Sequence, residues 1–157
     1  FSGVNIMTVL NSDSMGNFLK AETDGAEVKP VAISMKNMDV NGDIRHMDYQ
    51  RIMTLSLEDT TMKGAVVSGT MEEWNSLWSQ FDKKDCNWVV DDSWNTYYGV
   101  KMTVKKGATW DVTAKSTLSS LTLENGGTIK GKIQVDGKDV KPEAGKTYTG
   151  KIVVMPL

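Results

Sequence analysis

Cysteine and histidine are almost missing from this 157-residue chain; Cys86 and His46 are the only ones. A lone cysteine cannot close an internal disulfide, and a Cys/His metal site needs ligands the chain does not have. Cysteine use leaves the compartment open, because a disulfide-free surface protein and a cytosolic protein look alike in this respect. A Ser-His-Asp or Cys-His centre would have to recruit His46. Its setting, Ile44-Arg45-His46-Met47-Asp48, reads as a polar turn carrying an exposed histidine rather than a general base. Phosphate-loop and dinucleotide glycine patterns are absent, since the glycine pairs fall in turns and not ahead of helices. No stretch approaches the ~20 apolar residues of a spanning helix. With 18 Lys and Arg against 20 Asp and Glu the formal charge is -2, which gives no general grip on nucleic acid or an anionic membrane. No cofactor, metal, nucleic-acid partner or membrane insertion is therefore expected.

What the chain does have is internal repetition. Residues 32–44 can be laid over residues 54–66, a shift of 22. Ile33/Leu55, Met35/Leu57, Val40/Met62 and Ile44/Val66 then coincide as apolar pairs, and Ser34/Ser56 and Gly42/Gly64 are identical. Residues 102–110 lie in the same way over 121–129, a shift of 19, with Thr103/Thr122, Gly107/Gly126 and Thr109/Thr128 identical. Each unit has one grammar: an apolar-polar-apolar triplet, a short polar or glycine stretch, then another apolar strand. Period-2 alternation puts Leu55 with Leu57, and Leu121 with Leu123, on one strand face. Glu58-Asp59-Thr60-Thr61, Lys105-Lys106-Gly107 and Glu124-Asn125-Gly126-Gly127 supply turn residues that tolerate positive φ. Density of Gly, Thr and Val and the lack of a sustained 3.6 period argue against helix.

Short strands repeating every 19 to 22 residues predict an all-β fold, a right-handed parallel β-helix with one coil per repeat. A buried column of Ile, Leu, Val and Met would fill it, with Met35, Met62 and Met102 facing inward. A β-sandwich or jelly roll is the competing architecture. Residues 1–157 read as a single domain, and the opening Phe1-Ser2-Gly3, without an initiator Met or signal-peptide pattern, points to a piece of a longer chain.

Residues 70–98 interrupt the repeat as a Trp-rich insertion. Trp74, Leu77, Trp78 and Phe81 fall at i, i+3, i+4 and i+7, the stripe of a short helix with Thr70 as N-cap and Glu73 three residues on. Trp88, Trp94, Tyr97 and Tyr98 follow without helical spacing, interleaved with carboxylates that include Asp91 and Asp92. Exposed aromatics and carboxylates form a platform for sugar rings, stacking below and hydrogen-bonding at the edge. Those six residues are the candidate ligand-binding set. The competing reading seals the helix stripe against the side of the stack. Asp91 and Asp92 could also belong to a glycosidase or lyase pair, although adjacent loop acids are usually solvated. Asp39-Val40-Asn41-Gly42-Asp43 resembles a fragment of a calcium loop but lacks the downstream bidentate Glu, and Asn41-Gly42 matches the Lys63-Gly64 turn of the next repeat.

Residues 107–129 carry Trp110-Asp111-Val112-Thr113, then Ser116 and Leu118, then Leu121-Thr122-Leu123 with the Gly126-Gly127 turn. That run resembles a coil of the pertactin-like passenger domains of bacterial autotransporters, over 23 of 157 residues. A coil from a related bacterial surface protein would look the same. The resemblance implies a secreted or cell-surface bacterial right-handed β-helix serving as an adhesin or stalk, and brings no catalytic residues with it. The chain departs from the family in its Trp-rich insertion and in having no membrane-barrel segment. Toward the C-terminus, Lys132 to Val135 reads as a strand entering the Asp136-Gly137 turn, Lys141-Pro142-Glu143-Ala144-Gly145-Lys146 as another turn, and residues 147–155 as a last strand. That segment either caps the stack or hands it to neighbouring domains that continue it. The function expected is a non-catalytic adhesive or structural surface module, with a glycan or a host or cell-surface protein as partner. The alternatives are a carbohydrate-active β-helix enzyme, lyase or hydrolase, and a carbohydrate-binding β-sandwich.

Overall fold

The computed structural model describes residues 6–8, 31–46, 52–68 and 99–157. All regular structure among them is β. Three repeat units share one pattern of a long strand, a turn, a three-residue strand, a second turn and a third strand. The first holds β2 (Val31–Lys36), β3 (Asp39–Asn41) and β4 (Ile44–His46), and the second β5 (Met53–Glu58), β6 (Thr61–Lys63) and β7 (Val66–Ser68). The next holds β8 (Val100–Val104) and β9 (Thr109–Asp111), followed by β10 (Ser116–Leu123) and β11 (Thr128–Lys130). β1 (Ile6–Thr8) precedes them, and β12 (Lys132–Val135), β13 (Lys138–Val140) and β14 (Lys146–Met155) close the described chain.

Equivalent strands of successive units pair in parallel, at the 22- and 19-residue shifts of the repeats and, across the insertion, at shifts of 47 and 48. Ile33 opposes Leu55 and Leu55 opposes Met102, which in turn opposes Leu121. Val40, Met62, Trp110 and Ile129 form a second column, in the four-stranded parallel sheet β3-β6-β9-β11. Ile44 opposes Val66 in a third row, where β1 pairs with β4 as well. The remaining strands make one mixed ten-stranded sheet in which β10 joins two rows: its first half lies beside β7 and its second beside β8.

The core is what period 2 dictates. Met53, Leu55, Leu57, Val100, Met102, Val104 and Leu121 are buried while their strand neighbours point out. Met35, Met62 and Met102 all face in. Trp110 is fully enclosed, and its Nε1 donates to the Gly64 carbonyl at 3.0 Å, so the indole fills the column and satisfies a turn at once. Turns between the first and second strands pass through left-handed residues that stack on one another: Asn37 (φ 53°), Asp59 (φ 46°) and Gly107 (φ 73°). Asn and Asp reach that region at less cost than other residues with a Cβ, which explains their presence there. On the outer face, Ser34, Ser56, Thr103, Thr122 and Thr147 line up as a hydroxyl row, with Ser56 donating to Ser34 at 3.2 Å and 2.9 Å between Thr122 and Thr147. Beside it Lys36 and Glu58 pair at 3.1 Å.

The C-terminal segment lies antiparallel. Asp136 (φ 48°) and Gly137 (φ 79°) turn β12 into β13, both left-handed as a type I′ hairpin requires. β14 runs antiparallel along all of β10 and pairs with β12 on its other side, so the edge of β10 is covered from within the chain. A bulge opposite Ser119 lets β14 follow β10 across the two rows; there Gly150 sits at φ 119° and the Lys151 N–H donates to Asp136 Oδ1 at 2.9 Å. An exposed Glu143–Lys146 ion pair holds the turn before β14, and the Glu143 hydrogen bond, with its charge, raises the Lys146 pKa.

Candidate functional site

Trp88, Asp91, Asp92, Trp94, Tyr97 and Tyr98, and the helical stripe Trp74, Leu77, Trp78 and Phe81, lie outside the described residues. The structure describes the place from which that stretch is presented. Thr8, His46 and Ser68, the last residues of β1, β4 and β7, are neighbours in register. Val31, Met53 and Val100, the first residues of β2, β5 and β8, are neighbours too. Three described strands thus end in one column and three begin in another. The connections are 9–30, 47–52 and 69–99. In the next unit β10 runs straight through the same corner. The insertion is one of several connections rooted side by side.

The base of the 69–99 connection is held by hydroxyls. Between β7 and β10 only Thr117 and Val67 pair as strand partners. The Ser68 N–H donates to Thr117 Oγ1 at 3.0 Å, and that hydroxyl donates to the Ser68 carbonyl at 3.2 Å. The Val66 N–H donates to Ser116 Oγ at 3.0 Å. Across the root of the connection, the Gly99 N–H donates to Ser68 Oγ at 2.6 Å, and Ser119 Oγ donates to the Val100 carbonyl at 3.0 Å. The Gly99 carbonyl in turn accepts from Met53 N–H at 2.8 Å. Ser68, Ser116 and Thr117 are all buried, so each satisfies main-chain groups that water cannot reach. Both ends of the connection, 68 and 99, are therefore pinned to a dry, fully bonded seam. Sequence reading passed over these residues because Ser and Thr in a strand look like ordinary outward-facing positions. The one visible hint is the density of hydroxyls in Ser116-Thr117-Leu118-Ser119-Ser120.

His46 corrects an expectation. The residue is 1% exposed, on a strand at an inward position beside the seam, and not in an exposed polar turn. Its strand is specified by Ile44 and by the match to Val66, and alternation then carries the third residue inward. Asp43, part of the calcium-like fragment, accepts the Ala65 N–H at 2.8 Å and so ties one turn to the next. Among the described residues no group of three or more His, Cys, Asp or Glu is placed to hold a metal ion, and no helix there is long and apolar enough to cross a membrane.

Charge divides along the chain. Residues 99–157 carry ten Lys against five Asp and Glu, whereas residues 69–98 carry two Lys against six acids. The aromatic insertion is thus the acidic part and the region that anchors its far end the basic part. Comparison with known proteins finds no matching family model, no matching curated protein and no matching solved structure.

Proposed function

We propose that this chain is a right-handed parallel β-helix from a bacterial surface protein, acting as a non-catalytic structural and adhesive module that displays residues 70–98. The observation that carries the reading is the common corner: connections 9–30, 47–52 and 69–99 depart from Thr8, His46 and Ser68 and return at Val31, Met53 and Val100. Connections that start and end at one corner of a stack are the pattern of a repeat protein that binds through them. Parallel pairing at the 22- and 19-residue shifts supports the helical stack, and so does the resemblance of residues 107–129 to autotransporter coils. The antiparallel cover of β14 on β10 supports a capped end. In this reading Trp88, Trp94, Tyr97 and Tyr98 offer faces for sugar rings, while Asp91 and Asp92 accept hydrogen bonds from hydroxyls. The partner is a glycan or a glycosylated host or cell-surface protein.

A glycan-array screen of the chain against a Trp88→Ala, Trp94→Ala variant, with circular dichroism on both, tests this. The expected result is binding by the parent, lost in the variant with its β signal intact. No glycan bound by the parent, or equal binding by the variant, would assign those tryptophans to packing and the module to a spacer.

A further inference from the structure

Two Asn-Gly pairs occur in the chain, Asn41-Gly42 and Asn125-Gly126. The pair is chemically vulnerable. The main-chain nitrogen of the glycine can attack Cγ of the asparagine carboxamide, forming a five-membered imide and expelling ammonia. Water then opens the imide at either carbonyl, leaving aspartate or, with the main chain rerouted through Cβ, isoaspartate. Glycine removes the steric barrier a Cβ would raise. What remains is whether the glycine N–H is free and the carboxamide can swing onto it.

The fold treats the two pairs differently. Asn41 ends strand β3, and the Gly42 N–H donates to the Lys63 carbonyl at 3.0 Å. The Gly42 carbonyl in turn lies against Gly64 of the next unit, so this peptide is held between two strands. Asn125 sits exposed in the turn between β10 and β11, followed by Gly126 at φ +86°. Among the described residues the Gly126 N–H donates to no acceptor and the Asn125 carboxamide makes no hydrogen bond. Neighbouring groups are engaged: Gly127 N–H donates to the Glu124 carbonyl at 3.0 Å, and Gly107 N–H to the Gly126 carbonyl at 2.9 Å. The Gly126 N–H is thus left without a partner in a turn whose flanking groups are engaged.

We propose that Asn125-Gly126 is a spontaneous deamidation site of the folded protein, and that Asn41-Gly42, the same dipeptide in an earlier repeat, is protected by its place in the sheet. Conversion adds a negative charge beside Glu124. In the isoaspartate product it also adds a main-chain atom between two hydrogen bonds of fixed length, loosening the turn at the last parallel unit.

The test incubates the 157-residue chain at mildly alkaline pH, folded and in urea, and follows acidic species by ion exchange and each Asn-Gly site by peptide mass mapping with isoaspartate detection. In the folded chain Asn125 converts, mainly to isoaspartate, while Asn41 reacts roughly tenfold or more slowly, as a donor locked in a hydrogen bond should. In urea the two sites converge. Asn125→Gln abolishes the acidic species of the folded chain. Overturning results would be a folded chain whose Asn125 stays intact while the urea sample converts, or one whose Asn41 reacts as fast as Asn125.

Discussion

Gly64→Ala is the sharpest test of how the units stack. Gly64 lies directly against Gly42 of the preceding unit, and it is not among the left-handed glycines, so backbone conformation does not require it. Space does. A Cβ built on Gly64 falls 1.8 Å from the Gly42 carbonyl oxygen and 2.7 Å from its carbon. Ordinary contact would require the two main chains to part by about 1.5 Å, against a strand spacing of about 4.8 Å. Four hydrogen bonds depend on that turn: Gly42 N–H to Lys63, Gly64 N–H to Asp111, Trp110 Nε1 to Gly64 and Ala65 N–H to Asp43. Loss of two, at about 1 kcal/mol each, adds to an overpacking penalty of about 1–3 kcal/mol. The total is about 3–5 kcal/mol, a large share of the ~5–15 kcal/mol that holds a typical domain together. Followed by circular dichroism in urea, with a slope of about 2 kcal/mol per molar, the midpoint should fall by about 2 M. Gly137→Ala is the control, since Gly137 is left-handed (φ +79°) with nothing within 4 Å of its added Cβ. It should cost only about 1 kcal/mol, from conformation alone. If Gly64→Ala proves no worse than Gly137→Ala, the close approach of the two units is wrong.

Substitutions at two further residues probe the core and the seam. Trp110→Ala empties the largest buried side chain among the described residues and should cost about 3–5 kcal/mol in urea unfolding; Trp110→Phe keeps most of the volume but strands the Gly64 carbonyl, for about 1–3 kcal/mol. Thr117→Val, close in shape, leaves the buried Ser68 N–H without its acceptor. It should lower stability by about 1–3 kcal/mol and speed amide exchange at Ser68 and Gly99 before the rest of the sheet, as measured by hydrogen exchange.

The repetition and alternation of the chain named most of the described strands and those pairings that fall at the 22- and 19-residue shifts. In a parallel stack each residue meets its counterpart one repeat away. Where the repeat is uninterrupted, period-2 alternation and the repeat shift therefore name the partner, as at Ile33 and Leu55 or Thr103 and Thr122. The Asp136-Gly137 hairpin was equally legible, because turn geometry is local. Tertiary structure alone decided the rest, since it depends on what lies alongside and not on what repeats. β14 alternates like a strand, but nothing local says that it runs antiparallel along β10. His46 looked polar and exposed until its strand acquired an inward side. Gly42 and Gly64 read as matching turn residues, whereas Gly64 is required by a carbonyl belonging to another repeat. The common corner at Thr8, His46 and Ser68 exists only once three distant strand ends are laid in register. Local pattern carries the rung; only the packed chain shows which rungs, hydroxyls and connections share a side.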